Sequence, residues 1–188
     1  MKKIFKILYA IFFILLALVL FKFFIILLAI ALLLLWLRTF QMKKEPNQQE
    51  FLLGKLPNPR PDGFYRGDVG FKTSWVGKTF NAENLTGINV FEGKKKSFFA
   101  SIFAHSFENQ TVKIEKEKYP FKTYVSNGLF DQHLLVLKID YNVKSNPFWI
   151  KWVLDEIVEV APNTFLGKAH LRIIPGFPFS VLYFELKR

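Results

Sequence analysis

Hydrophobic positions follow two different rules along this chain. From Ile7 to Leu37 every residue except Lys22 is apolar, and the stretch holds no Gly and no Pro. As one helix it would be about 46 Å long at ~1.5 Å per residue. About 20 apolar residues already suffice to cross a bilayer. After Gly63 the rule changes, and apolar residues recur mostly at every second position. Leu137, Ile139, Tyr141 and Val143 alternate with Lys138, Asp140 and Asn142. Phe165, Gly167, Ala169, Leu171 and Ile173 face one way, and Leu166, Lys168, His170 and Arg172 the other. Val112 and Ile114 alternate with Lys113 and Glu115, and Leu182, Phe184 and Leu186 with Val181, Tyr183 and Glu185. Such alternation marks half-buried strands.

Turn signals separate these runs: Ser126-Asn127-Gly128, Ser145-Asn146-Pro147, Pro162-Asn163 and Pro175-Gly176. About eight to ten short strands without a long helical period predict a mainly β fold. The expected form is a closed or nearly closed antiparallel β-barrel behind a long N-terminal transmembrane helix, with a sandwich as the alternative. The division follows: residues 1–40 form a basic tail and the helix, 41–61 a linker, and 62–188 the barrel domain. The linker is polar and carries Pro46, Pro57, Pro59 and Pro61, which favour an extended, semi-rigid segment, and Phe51, Leu52 and Leu53 interrupt it as residues able to dock.

Lys22 constrains how the helix sits. A lysine at mid-bilayer costs about 2.5–3.5 kcal/mol on insertion scales. A span from about Leu18 to Leu37 avoids this. It places Lys22 near the inner headgroups and Trp36 and Arg38 at the outer interface, where indole rings are favoured. Residues 7–17 then lie on the inner interface, pack on a partner or extend the span. Two alternatives are a re-entrant hairpin hinged at Lys22 and a signal peptide cleaved after Ala29-Ile30-Ala31. Against cleavage, the apolar run continues through Leu32–Leu37. Basic residues flank both sides, and a short basic tail before a signal-anchor favours an inside N-terminus. The expected place is a single-pass position in a bacterial inner membrane, with the barrel in the periplasm.

Charge and composition narrow the partners. The net charge is +11, and residues 41–188 hold 21 basic against 15 acidic side chains. At a membrane this excess suits anionic headgroups better than nucleic acid. The chain has no cysteine, which excludes disulfides and thiolate chemistry. No Gly-x-Ser-x-Gly elbow, phosphate loop or His-Glu-x-x-His occurs. His105, His133 and His170 are too far apart in sequence to read as a paired metal site, so each reads as solvated or hydrogen-bonded. Asp155, Glu156 and Glu159 read as surface or turn residues. Neither cofactor, metal nor catalytic residue is expected.

Several motifs carry a resemblance. Gly63-Phe64-Tyr65-Arg66-Gly67 resembles the Gly-x-Trp-x-Gly strand of the lipocalin-like GXWXG family, with tyrosine in the tryptophan position. Trp75-Val76-Gly77-Lys78-Thr79-Phe80 is similar to that family's Trp-x-Gly-Lys-x-Phe landmark, and Ile88-Asn89-Val90-Phe91 follows it. Asp155, Phe165-Leu166-Gly167, Pro178-Phe179 and Tyr183–Arg188 resemble its final strands. The resemblance implies a calycin-type barrel and no established reaction.

Pro147–Leu154 is denser in large apolar residues than one strand face requires. It reads either as a core strand covered on both faces or as a portal or membrane-facing patch. The residues expected to meet a ligand are Tyr65, Trp75, Phe80, Trp149 and Trp152, with Tyr65 and Trp75 the more inclined to plug the barrel base. The function expected is non-enzymatic binding of a lipid or other small apolar molecule beside the bilayer. The alternatives are an assembly domain with a filled barrel that binds a protein partner, and a calycin-type enzyme.

Overall fold

Eight strands in succession each pair antiparallel with the next, and the last returns to the first, so the sheet closes into a barrel. The structure is a computed structural model and describes residues 2–94 and 113–188. Helix α1 (Lys2–Met42) and helix α2 (Pro46–Leu53) come first. The strands are β1 (Gly63–Asp68), β2 (Trp75–Asn81), β3 (Thr86–Lys94), β4 (Lys113–Asn127), β5 (Leu135–Asp140), β6 (Val153–Ala161), β7 (Thr164–Ile174) and β8 (Phe177–Lys187). Closure leaves no free sheet edge. His105 and Val112 lie outside the described residues.

The period-two pattern sorts side chains between lumen and exterior. Register aligns Tyr65 with Lys78, Lys78 with Asn89, Gly87 with Phe121, and Ile139 with Asp155. Inward residues include Tyr65, Phe80, Phe121, Leu137, Ile139, Tyr141, Ile157, Phe165, Phe184 and Leu186, all buried in one cluster. Their rings interlock. Phe80 meets Phe121 with centroids 5.4 Å apart, Phe121 meets Tyr141 at 5.6 Å, and Tyr65 meets Phe165 at 5.1 Å.

Glycines among the inward positions make room for these rings. A Cβ on Gly67 would lie 2.3 Å from the Trp75 indole, and one on Gly167 would lie 2.2 Å from the Phe184 ring. Among the described residues, interlocked side chains thus occupy the lumen. Gly77, at φ +155°, faces the Tyr65 carbonyl oxygen, which a Cβ would approach to 2.1 Å.

The stretch 41–61 is not a free linker. α1 runs on to Met42, and α2 follows with Pro46 at its first turn, where proline is tolerated. α2 docks on the barrel exterior through Phe51, whose side chain is 0% exposed. Met42, Phe51, Val136, Val158, Leu166 and Tyr183 form a second apolar cluster there. Gly54 passes so close that a Cβ would sit 2.4 Å from Val158, and Lys55 then exchanges two backbone hydrogen bonds with Glu159. Gln48 ties the layer together. Its Oε1 accepts from Lys168 Nζ at 2.8 Å and from the Tyr183 hydroxyl at 2.6 Å, and its Nε2 donates to Asp131 at 3.1 Å.

Glu156, read from sequence as a surface residue, lies in this covered exterior and is fully buried. Lys138 Nζ and the Leu129 backbone N–H both donate to its Oε1, at 2.9 and 2.7 Å. His170 Nε2 lies 3.2 Å from its Oε2, close enough to pair and too poorly aligned for a hydrogen bond. Burial alone would raise the carboxyl pKa. His170 and Lys138 outweigh it and hold the value at about 2. Asp155 is likewise buried, on the opposite, inward face of β6.

Two outcomes follow from this packing. Gly167→Ala should lower stability by roughly 1–3 kcal/mol through overpacking, read as a shifted urea midpoint in detergent; an unchanged midpoint would mean Phe184 moves freely. Glu156 binds protons more readily in the unfolded chain, so its stabilisation is present above pH 4.5. That contribution, on the order of 3 kcal/mol, should be lost as pH falls towards about 2. Glu156→Gln should flatten that part of the pH–stability curve.

Candidate functional site

Two features stand out as candidate sites: a polar cluster inside the lumen and an aromatic patch outside it. The lumen cluster centres on Lys78, which β2 carries inward between Trp75 and Phe80, after a register shift at Trp75–Gly77. Its Nζ donates to Asp155 Oδ2 at 3.0 Å, to Asn89 Oδ1 at 2.9 Å and to the Tyr141 hydroxyl. The Tyr141 hydroxyl in turn donates to Asp155 Oδ2 at 3.1 Å, and Trp75 Nε1 donates to Asn89 Oδ1 at 3.0 Å. Around the ammonium stand the rings of Phe184, Tyr141, Trp75 and Phe121, with centroids 5.1–5.6 Å away.

Burial sets the electrostatics here. Desolvation lowers the Lys78 pKa, and the Asp155 charge and hydrogen bond oppose that shift. Burial also pushes the Tyr141 phenol well above its usual range, with the Asp155 carboxylate adding to the effect. Tyr141 thus stays protonated and keeps donating to Asp155.

Lysine, phenol and carboxylate are the ingredients of acid–base chemistry. Their arrangement is that of a saturated network. An ammonium has three N–H donors, and all three have acceptors here. Aromatic faces occupy the rest of the surroundings. Among the described residues, the cluster pairs the buried Lys78 with the buried Asp155.

The second feature follows β5. Asn146 fixes the loop by donating to the carbonyls of Pro120 and Tyr141, at 2.7 and 2.8 Å. Pro147–Trp152 then forms a turn that ends in a short 3-10 helix, not the start of a strand. Phe148, Trp149 and Trp152 pack edge to face at 4.9 and 5.3 Å, yet remain 63%, 53% and 38% exposed. The apolar density of this stretch is therefore spent on the surface. A groove of about 420 Å³ lies elsewhere, beside the β1–β2 connection, between Arg66, Asp68, Phe71, Lys72, Trp75 and Lys187. It is lined by both signs of charge.

The five sequence-derived residues fall into two groups. Tyr65 and Phe80 are buried against each other in the lumen, with Trp75 half-buried above them and against Phe184. Trp149 and Trp152 stand apart on the exposed turn. Lys78, Asn89, Tyr141 and Asp155 were missed as a lumen set. One signal for them was present: a lysine in the inward register of β2, between Trp75 and Phe80. No family model, curated protein or solved structure matches this chain.

If the pair is structural, Lys78→Met should cost about 3–5 kcal/mol, because it strands a buried carboxylate. The double variant Lys78→Met with Asp155→Leu should recover part of that loss. A double-mutant cycle by chemical denaturation reads the coupling. Additive costs would mean the two charges do not depend on each other.

Proposed function

We propose that the protein is a non-enzymatic assembly module: a filled β-barrel held at a membrane surface, meeting its partner on its outside. The observation that carries this reading is the lumen itself. Small barrels that hold a ligand keep a cavity, whereas here interlocked rings and a saturated ion pair occupy the interior. The exposed Phe148–Trp149–Trp152 turn is the proposed partner-facing patch. Indole-rich exposed surfaces commonly mark interaction sites.

Anchoring is supported by α1. It is long and apolar enough to cross a bilayer, and its side chains from Ile4 to Ala31 are exposed. We place the N-terminus inside and the barrel on the periplasmic side of a bacterial inner membrane, on the strength of the short basic tail. Membership of the lipocalin-like GXWXG family is proposed on related grounds. Residues of its landmarks, Tyr65, Gly67, Trp75, Lys78 and Phe80, converge on the lumen or its edge.

Binding of a lipid or other small apolar molecule remains the second reading, favoured by the two exposed indoles. Native mass spectrometry of the detergent-purified full chain separates the two. The assembly reading expects the mass of the protein alone after mild activation. A stoichiometric lipid that survives activation, and is lost in the Trp149→Ser, Trp152→Ser variant, would overturn it in favour of the binder.

A further inference from the structure

α1 does not simply lead into the barrel; it lies along β8. Ser180 N donates to Thr39 Oγ1 at 3.0 Å, Arg38 Nε donates to the Val181 carbonyl at 3.0 Å, and the Tyr183 hydroxyl donates to the Met42 carbonyl at 3.3 Å. From Thr39–Ser180 to Met42–Tyr183 the numbers rise on both elements, so the two run in the same direction, and the long Arg38 side chain reaches one residue further along, to Val181. Leu32 and Leu35 are partly covered and Thr39 and Met42 are buried, so one helix face is in contact from Leu32 onward.

That direction sends the β7–β8 hairpin back along the apolar part of α1. From Ser180 to Phe177 is about 10 Å of strand at ~3.3 Å per residue. The same distance along α1 from Thr39 is about seven residues at ~1.5 Å, which reaches Leu32. The tip is therefore level with helix residues inside the span placed at Leu18–Leu37.

The hairpin is made for such a place. From Ile173 to Phe179 it reads Ile-Ile-Pro-Gly-Phe-Pro-Phe, with no polar side chain. Phe177 is 69% exposed. The turn itself is tight: Ile174 pairs with Phe177 across Pro175-Gly176, and Gly176 takes φ +79°. Unpaired backbone N–H groups are costly in hydrocarbon. Pro175 and Pro178 bring none. Arg38, bonded to the Val181 carbonyl and paired with Glu45, is the first charged side chain of α1 after Lys22. Trp36, exposed one turn before Phe40 and packed on it, lies just on the bilayer side of Arg38, at the level indoles favour.

We infer that the β7–β8 hairpin dips into the outer leaflet beside α1, with Phe177 at its tip and the membrane surface close to Arg38 and Val181. The barrel is then wedged into the bilayer at one end rather than suspended above it. This rests on the membrane reading of α1 proposed above.

The absence of cysteine allows a direct test on the full chain. Single variants Leu27→Cys, Phe177→Cys and Glu83→Cys are labelled with an environment-sensitive fluorophore and reconstituted in phosphatidylcholine–phosphatidylglycerol vesicles. Glu83 lies in the β2–β3 turn at the opposite end of the barrel and is exposed. The labels at residues 27 and 177 should show blue-shifted emission and quenching by acyl-chain nitroxide lipids, and the label at residue 83 neither. An aqueous signal at 177 beside a quenched label at 27 overturns the wedge alone. Aqueous signals at both overturn the membrane anchor and the wedge with it. Phe177 is a surface residue, so its replacement leaves the barrel core intact; a Gly176→Cys label, expected to be quenched likewise, checks the tip independently.

Discussion

A lysine and an aspartate face each other across the inside of a closed barrel, and the packing around them answers to that pair. Two charges withdrawn from water are favourable only if every donor and acceptor is matched. Asn89 and Tyr141 complete the matching, and Trp75 fixes Asn89 from the edge. The rings of Phe121 and Phe184 close over the ammonium, and glycines at 87 and 167 let those rings approach the wall. A ligand entering this space would have to displace groups that hold the pair neutral. In the covered exterior Lys138 and the Leu129 amide both donate to Glu156 Oε1, and His170 stands 3.2 Å from Oε2 as a charge partner without a hydrogen bond. One strand, β6, thus carries Asp155 inward and Glu156 outward, each with a lysine from another strand.

The strand alternation and the long apolar helix were visible in the residues, because each depends on neighbours close in sequence. Tyr65, Trp75 and Phe80 were also legible as companions, through the spacing of their motifs. What escaped was set by distant partners. Asp155 and Glu156 look like surface acids locally, since Lys78, Lys138 and His170 approach them only once β2, β5 and β7 are in place. Phe51 was legible as a docking residue within the linker, but where it docks, in the hollow between Val136, Val158 and Tyr183, was not. The stretch Phe148–Trp152 left two readings open from sequence, a covered core strand and an exposed patch, and the bonds of Asn146 to Pro120 and Tyr141 hold the loop that leads into an exposed turn.

Docking of α1 on β8 and of α2 on β5–β7 has a mechanical meaning. A chain joined to its anchor by a loose tether can keep its orientation when the anchor leans. This chain has no such swivel: helix, clamp and barrel share hydrogen bonds from Arg38 to Lys55. Membrane helices respond to bilayer thickness by tilting. With α1 spanning the bilayer as proposed, any lean of α1 in a thinner membrane would turn the whole barrel through the same angle, with the helix as lever and β8 as its fixed arm. The aromatic turn at Phe148–Trp152 would sweep towards or away from the surface as it did so. Lipid thickness would then become a signal carried by a rigid body, without any change in the barrel's own shape.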